Sequence, residues 1–210
     1  MKRIDHYHYA WLILAFISFA APAEEWRFGV FLDAKPIGEH RYILSEKTQG
    51  SRELVSQADF NVELLFVNVY RYHHVAREIW DGDCLRSLEA RTEENQEISV
   101  VQGKQEISGF TLHSPGHRIL DSCVMNFAYW NPKMLRQSRL LNPQTGAWQD
   151  TRITRLGKDW IEFNGKSVEA DHYKLEAPKI YIELWYRANR NWLALKSITP
   201  EGYVINYKLQ

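Results

Sequence analysis

The strongest constraint in this chain is a two-residue beat that recurs along most of its length. Ala58, Phe60, Val62, Leu64 and Phe66 fall on one phase, while Gln57, Asp59, Asn61 and Glu63 fall on the other. Successive side chains of a strand point to opposite faces, so this is the signature of a half-buried β-strand. Trp26, Phe28, Val30 and Leu32 repeat it near the start, alternating with Arg27, Gly29, Phe31 and Asp33. Ile180, Ile182, Leu184 and Tyr186 repeat it later, as do Tyr203, Ile205, Tyr207 and Leu209.

Turn chemistry separates these runs. Ala34–Gly38 reads as a turn into a returning strand over Glu39–Ser45, and Asp81-Gly82-Asp83 joins Val69–Trp80 to Leu85–Thr92. Asn164-Gly165 is the most specific hairpin signal in the chain. Further strands are expected at Glu97–Val101, Glu106–Leu112, Thr151–Arg155, Trp160–Phe163, Val168–Leu175 and from Trp192 to Ile198. Between Asp121 and Arg139 the beat is lost, and a short helix or turn after Pro132 is expected. Asn142–Gly146 is a further turn. No repeat or linker divides the chain. The expected fold is all-β: a single-domain antiparallel meander forming a barrel, half-barrel or highly curved sheet, with at most one short helix.

The first 23 residues read as a leader rather than as part of that fold. Lys2 and Arg3 precede the charge-free run Ala10–Ala21, and Ala21-Pro22-Ala23 supplies small residues before Glu24. This is the grammar of a signal peptide cleaved after Ala23. An uncleaved anchor is the alternative, but a spanning helix needs about 20 apolar residues and Pro22 ends the run early. The expected product is an exported, periplasmic chain over residues 24–210 with no transmembrane segment. It would keep 24 of the 26 basic and 25 of the 26 acidic side chains. Near-zero charge with scattered basic residues argues against a nucleic-acid partner.

Export bears on the two cysteines. In an oxidising compartment Cys84 and Cys123 have one possible pairing, closing a loop of 39 residues worth roughly 3–4 kcal/mol. Two buried free thiols are the other reading. Redox chemistry is not indicated, because no Cys-x-x-Cys spacing is present.

Three runs carry a resemblance. Tyr70-Arg71-Tyr72-His73-His74 with Glu78-Ile79-Trp80-Asp81-Gly82 is the first. Tyr129-Trp130-Asn131-Pro132 with Leu140–Gly146 is the second, and Glu183-Leu184-Trp185-Tyr186 with Gly202–Leu209 is the third. Together they resemble an uncharacterised bacterial family of exported β-proteins known only as a domain of unknown function. The chain is also distantly similar to a second uncharacterised exported β-family and to the half-barrel lipoprotein carriers of the Gram-negative periplasm. The resemblance supplies no catalytic residues and implies no cofactor.

Candidate binding residues come from aromatic and polar groups that share a phase. Tyr70, Tyr72, His74, Glu78 and Trp80 share one strand face, suited either to the wall of a ligand cavity or to an aromatic outer face. Tyr129, Trp130 and Asn131 combine apolar area with polar tips, and Gln137 and Gln144 could complete contacts there. The same segment also reads as a plug closing one end of a barrel, with Asn131 bonding the turn, and that reading is the favoured one.

Metal and catalytic patterns are weak. His113 and His117 are four apart, but Ser114-Pro115-Gly116 between them excludes a helix. His73 and His74 point to opposite faces of a strand and do not share an ion. Asp121-Ser122 and Asp171-His172 hint at a triad, yet the nucleophile elbow is missing. No catalytic residue, metal site or cofactor is assigned. The expected function is a non-catalytic carrier of a lipid-like hydrophobic ligand. An envelope assembly factor binding another protein, and an enzyme acting on an envelope lipid or glycan, are the alternatives.

Overall fold

The computed structural model describes residues 23–47, 50–64, 67–189 and 191–210. The leader lies outside the described residues except for Ala23, as does Phe66 of the alternation described above, and Leu64 is described only in its backbone. The first half is a run of long strands: β1 (Glu24–Leu32), β2 (Lys35–Glu46), β3 (Ser51–Leu64), β4 (Val67–Asp81), β5 (Cys84–Glu94) and β6 (Glu97–Glu106). The short strands β7 (Gly109–Ser114) and β8 (Arg118–Ile119) end that run. A 3-10 turn at Pro132–Arg136 follows, then β9 (Arg139–Leu141) and β10 (Trp148–Asp150). The second half is β11 (Arg152–Phe163), β12 (Lys166–Ala177), β13 (Ile180–Tyr186), β14 (Trp192–Ile198) and β15 (Val204–Leu209).

Thirteen strands make one antiparallel sheet in the order β11-β12-β13-β14-β15-β1-β2-β3-β4-β5-β6-β7-β8, with β9 and β10 paired separately. The last strand returns to the first: Phe28 faces Leu209 and Val30 faces Tyr207 across β1 and β15. The two halves of the chain therefore meet at its termini. The sheet is all-β and strongly curved but does not close, because β11 and β8 lie at opposite ends of the order.

Its concave side is filled by the segment that lacked a beat. Val124, Met125, Phe127, Ala128, Trp130, Met134, Leu140 and Leu141 are buried with Phe28, Trp80, Leu85, Leu88 and Trp192 in one cluster. Burying an aromatic or branched side chain of this kind contributes roughly 1.5–3 kcal/mol each. A disulfide ties the same segment to the sheet, joining Cys84 at the start of β5 to Cys123, with Cα atoms 4.8 Å apart.

Three turn assignments need correction. The β1–β2 turn is only Asp33-Ala34, with Asp33 at φ 52°, and Lys35–Gly38 already belong to β2. A proline is tolerated there because β3 pairs with β2 only from Gly38 onward. Glu106–Leu112 is not one strand: Ile107-Ser108 forms a tight turn between β6 and β7, its apolar β-branched residue disguising the break. Conversely, the runs expected at Thr151–Arg155 and Trp160–Phe163 fall in one strand, β11, which starts at Arg152. Its register slips between Arg155 and Gly157, a bulge at Leu156 that Gly157 accommodates with φ 125°.

Candidate functional site

Cross-strand register builds the site. Ala58 on β3 is the pairing partner of His40 on β2 and of His74 on β4. One step along, Ser56 faces Tyr42 and Ala76, and one step back Phe60 faces Gly38 and Tyr72. All these side chains point to the concave face, since strand neighbours directly opposite share a face. Rings of Phe60 and Tyr72 stack with centroids 5.1 Å apart at 12°, and those of His40 and Tyr42 at 4.1 Å and 21°. Tyr70 and Tyr72 continue the stack along β4.

These rings wall a cavity of about 320 Å³. Its buried side carries His40, Ser56, His74 and Glu78, each less than 8% exposed. Apolar area comes from Phe60, Phe127, Ile180, Ile182, Leu195 and Ile205. The rim is drawn from three turns: Asn142, Pro143 and Gln144; Lys179; and Thr199 with Pro200. A volume of this size lies at the small end of ligand pockets.

The buried polar groups are tightly specified. His40 Nε2 lies 2.8 Å from Ser56 Oγ and its Nδ1 lies 3.1 Å from the Tyr42 hydroxyl. His74 Nδ1 lies 2.8 Å from Thr92 Oγ1. The Glu78 carboxyl accepts from Asn126 Nδ2 at 2.7 Å and from Trp80 Nε1 at 2.9 Å. Burial, reinforced by His74, holds His40 well below its ordinary 6.5. Burial, with the neighbouring His73, pulls His74 down to about 4. Burial pushes Glu78 up to about 7, against the two donors that favour its charged form. The hydroxyls of Tyr42, Tyr72, Tyr129 and Tyr207 are likewise pushed above their usual range, chiefly by burial. At neutral pH the histidines and tyrosines of the wall are therefore uncharged, while Glu78 stands near its midpoint.

Of the residues singled out in the sequence, Tyr70, Tyr72, His74, Tyr129, Trp130 and Gln144 line this cavity. Trp80 and Asn131 stand elsewhere. Trp80 is fully buried behind Glu78, edge-on to Trp130 with centroids 5.5 Å apart. Asn131 is extended at φ −104° and ψ 102°, and its side chain accepts from the Lys133 backbone N–H and donates to Asp83 Oδ1, both at 3.1 Å. The Tyr129-Trp130 segment is thus a core plug and a cavity wall together. Tyr129 stacks obliquely on Trp192, while its carbonyl accepts from the Tyr186 hydroxyl at 2.8 Å.

His40, Tyr42, Ser56 and Tyr207 also line the cavity without a motif to mark them, although His40, Tyr42 and Leu44 share one phase of β2. That phase was the available signal. The triad pattern does not assemble: Asp171 pairs with Arg155, and His172 Nε2 instead lies 2.9 Å from Glu183 Oε2. His73 turns outward onto Asp59. His113 and His117 lie edge to face, with ring centroids 6.1 Å apart. Among the described residues, no group of three or more His, Cys, Asp or Glu side chains is arranged to hold a metal ion. No helix among them is long and apolar enough to cross a membrane.

The crystal structure of a beta-barrel-like protein of the domain of unknown function DUF1849 from Brucella abortus superposes with a TM-score of 0.65. It covers 90% of this chain and 95% of that one at 12% identity, so the likeness is one of fold. The crystal structure of LprF from Mycobacterium bovis aligns over 90% of this chain and 84% of its own at 13% identity, with a TM-score of only 0.29. No curated protein matches the sequence. A family model described as a domain of unknown function, DUF6134, matches residues 28–210. Since that match runs from within β1 through β15, over most of the chain, the chain belongs to the DUF6134 family.

Proposed function

We propose that this protein is an exported, non-catalytic binding protein that shelters a small amphipathic ligand in the hollow of its sheet. The cavity of about 320 Å³ carries this reading, because stacked rings and aliphatic side chains supply apolar area beside a few fixed polar groups. Such a wall suits a lipid-like molecule with one polar end, held out of water. The leader over residues 1–23 supports export, with cleavage after Ala23 placing the chain from Glu24 in the periplasm. Native mass spectrometry of protein purified from the periplasm, with solvent extraction of its passenger, tests both parts. A defined excess mass on a chain starting at Glu24 is the expected result. A bare mass, with no extractable small molecule, would overturn the binding reading.

A second reading rests on one observation at the sheet end. β11 is a twelve-residue end strand of the sheet order, with Trp160 66% exposed and Leu156 49% exposed. An end strand of this kind, with no second partner strand among the described residues, is suited to accept a strand from an envelope protein. Crosslinking from position 160 in intact cells should then trap one discrete partner; a pattern no different from an exposed control position removes this reading.

A further inference from the structure

The orientation and chemical class of the ligand can be read from where charge is missing. Glu78 and Lys179 are the only carboxylate and basic side chains among the described residues that wall the cavity. Lys179 is exposed, in the turn between β12 and β13 at the rim. Glu78 is buried, and each of its oxygens already accepts a hydrogen bond, from Asn126 and from Trp80. The inner wall therefore offers no lysine or arginine to an anion, and its one carboxylate is already held by two donors.

What it does offer is a neutral imidazole edge. His74 is only 3% exposed, and its Nδ1 is engaged by Thr92. Its Nε2 makes no hydrogen bond among the described residues, and the ring lines the cavity. Next to it, the small side chain of Ala58 separates His74 from His40, whose two nitrogens are satisfied by Ser56 and Tyr42. An imidazole nitrogen at the cavity wall with no partner among the described residues can bond a hydroxyl or carbonyl brought by a ligand. A carboxylate or phosphate at the same place would be a buried anion with no counter-charge, a large penalty.

We infer that the ligand enters with its polar end first, and that this end is an uncharged hydroxyl- or carbonyl-bearing group that meets His74 Nε2. This rests on the cavity being a ligand site, as proposed above. Burial supports it by keeping both histidines neutral and the tyrosines protonated near pH 7. The apolar remainder of the ligand would then lie toward Ile180, Ile198 and the rim.

Three probes with the same twelve-carbon chain test the inference on the mature chain near pH 7: monododecanoylglycerol, dodecanoate and dodecylammonium. Binding is followed by isothermal titration below the micellar concentration of each. Monododecanoylglycerol should bind about ten-fold more tightly than either charged probe. His74→Phe should lose most of that advantage while leaving the weak dodecanoate binding in place. Ser56→Ala, a smaller change on the same wall, guards against a variant that fails to fold, and circular dichroism checks both. Dodecanoate binding as tightly as the neutral probe, and weakened by Lys179→Gln, would put the polar end at the rim and overturn the inference. Equal binding of all three probes would also overturn it, yet leave the binding reading standing. No binding of any probe, together with a bare native mass, would instead sink the binding reading itself.

Discussion

His40 and His74 stand on either side of Ala58 in one cross-strand row, and both are buried on the concave face. Two imidazoles held this way act on stability as well as on the cavity. Their folded-state values lie below the ordinary 6.5, so the unfolded chain takes up protons first as the pH falls. Their contribution is complete above pH 6.5 and is lost through the window down to about 4 for His74. Each such group removes about 1.4 kcal/mol per pH unit within its window. Urea unfolding of His74→Gln at a series of pH values should show a shallower loss below pH 6.5 than the parent protein. An unchanged slope would mean that His74 takes up its proton as readily in the fold as in the unfolded chain.

Glu78 works with the opposite sign. Its folded value of about 7 lies above the ordinary 4.5, so stability is fully present below 4.5 and declines as the pH rises through 7. Between these limits it partly cancels the histidines, which gain stability over the same rise. Glu78→Gln should remove the decline and raise stability at about pH 8 by roughly 1–3 kcal/mol. The amide is accommodated by rotation of Asn126, whose Oδ1 is buried without a hydrogen-bond partner and can accept from it. Trp80 still donates to the remaining oxygen. Denaturation curves at pH 5 and pH 8 check this, and a loss of stability at both values would refute it.

The disulfide between Cys84 and Cys123 pins the irregular 121–141 segment to β5. Leu85 N–H, next to Cys84, also donates to Val124 O at 2.8 Å. Closing a 39-residue separation restricts the unfolded chain by roughly 3–4 kcal/mol. The Cys84→Ala/Cys123→Ala double variant should therefore melt several degrees lower. The cavity should suffer as well, because Phe127, Ala128, Tyr129 and Trp130 are held in place by the same segment. Thermal unfolding with and without reductant is the measurement. No change on reduction would show that tertiary packing alone fixes the segment.

Much of this architecture was legible because a half-buried strand writes its two faces directly into the sequence. The beat around Ala58 and Phe60 marked β3, and that around Ile180 and Ile182 marked β13. What a single strand cannot show is which distant strand lies beside it. Tyr72 and His74 were visible on β4, but His40 and Ser56 joined them only through the register of β2 and β3. Trp80 illustrates the converse. It shares the phase of His74, yet six residues at about 3.3 Å each carry it some 20 Å along the strand, past the cavity. There it meets Trp130 in the closed core. Between Asp121 and Arg139 the chain has little regular structure of its own, so no periodicity announced that it fills the hollow.

Close approach of two strands makes Gly38 irreplaceable. It sits opposite Phe60 at φ 153°, and a Cβ added there would lie 1.9 Å from the Asp59 carbonyl oxygen. That atom is backbone in the adjacent strand and cannot swing aside. Gly38→Ala should cost about 2–4 kcal/mol, by strain and by separating β2 from β3 at the edge of the cavity. Hydrogen exchange at the β2 and β3 amides would locate the damage. A variant as stable as the parent would show that β2 can shift along β3 without penalty.

Asn131 separates the structural from the binding role of the Tyr129–Pro132 segment. Its side chain caps the 3-10 turn and reaches Asp83, which also pairs with Lys133 at 2.9 Å. None of these contacts borders the cavity, whose wall in this segment is made by Tyr129 and Trp130. Removing a cap of this kind costs about 1 kcal/mol, and losing the bond to Asp83 adds a similar amount. Asn131→Ala should thus lower the unfolding free energy by about 1–2 kcal/mol while leaving the affinity for monododecanoylglycerol within about two-fold of the parent. Tyr129→Ala is the contrasting case, since it deletes a ring that both lines the cavity and packs on Trp192. Paired urea denaturation and isothermal titration on the two variants distinguish the roles. If Asn131→Ala abolished binding at full stability, the asparagine would be part of the ligand site and the turn would not be its main business.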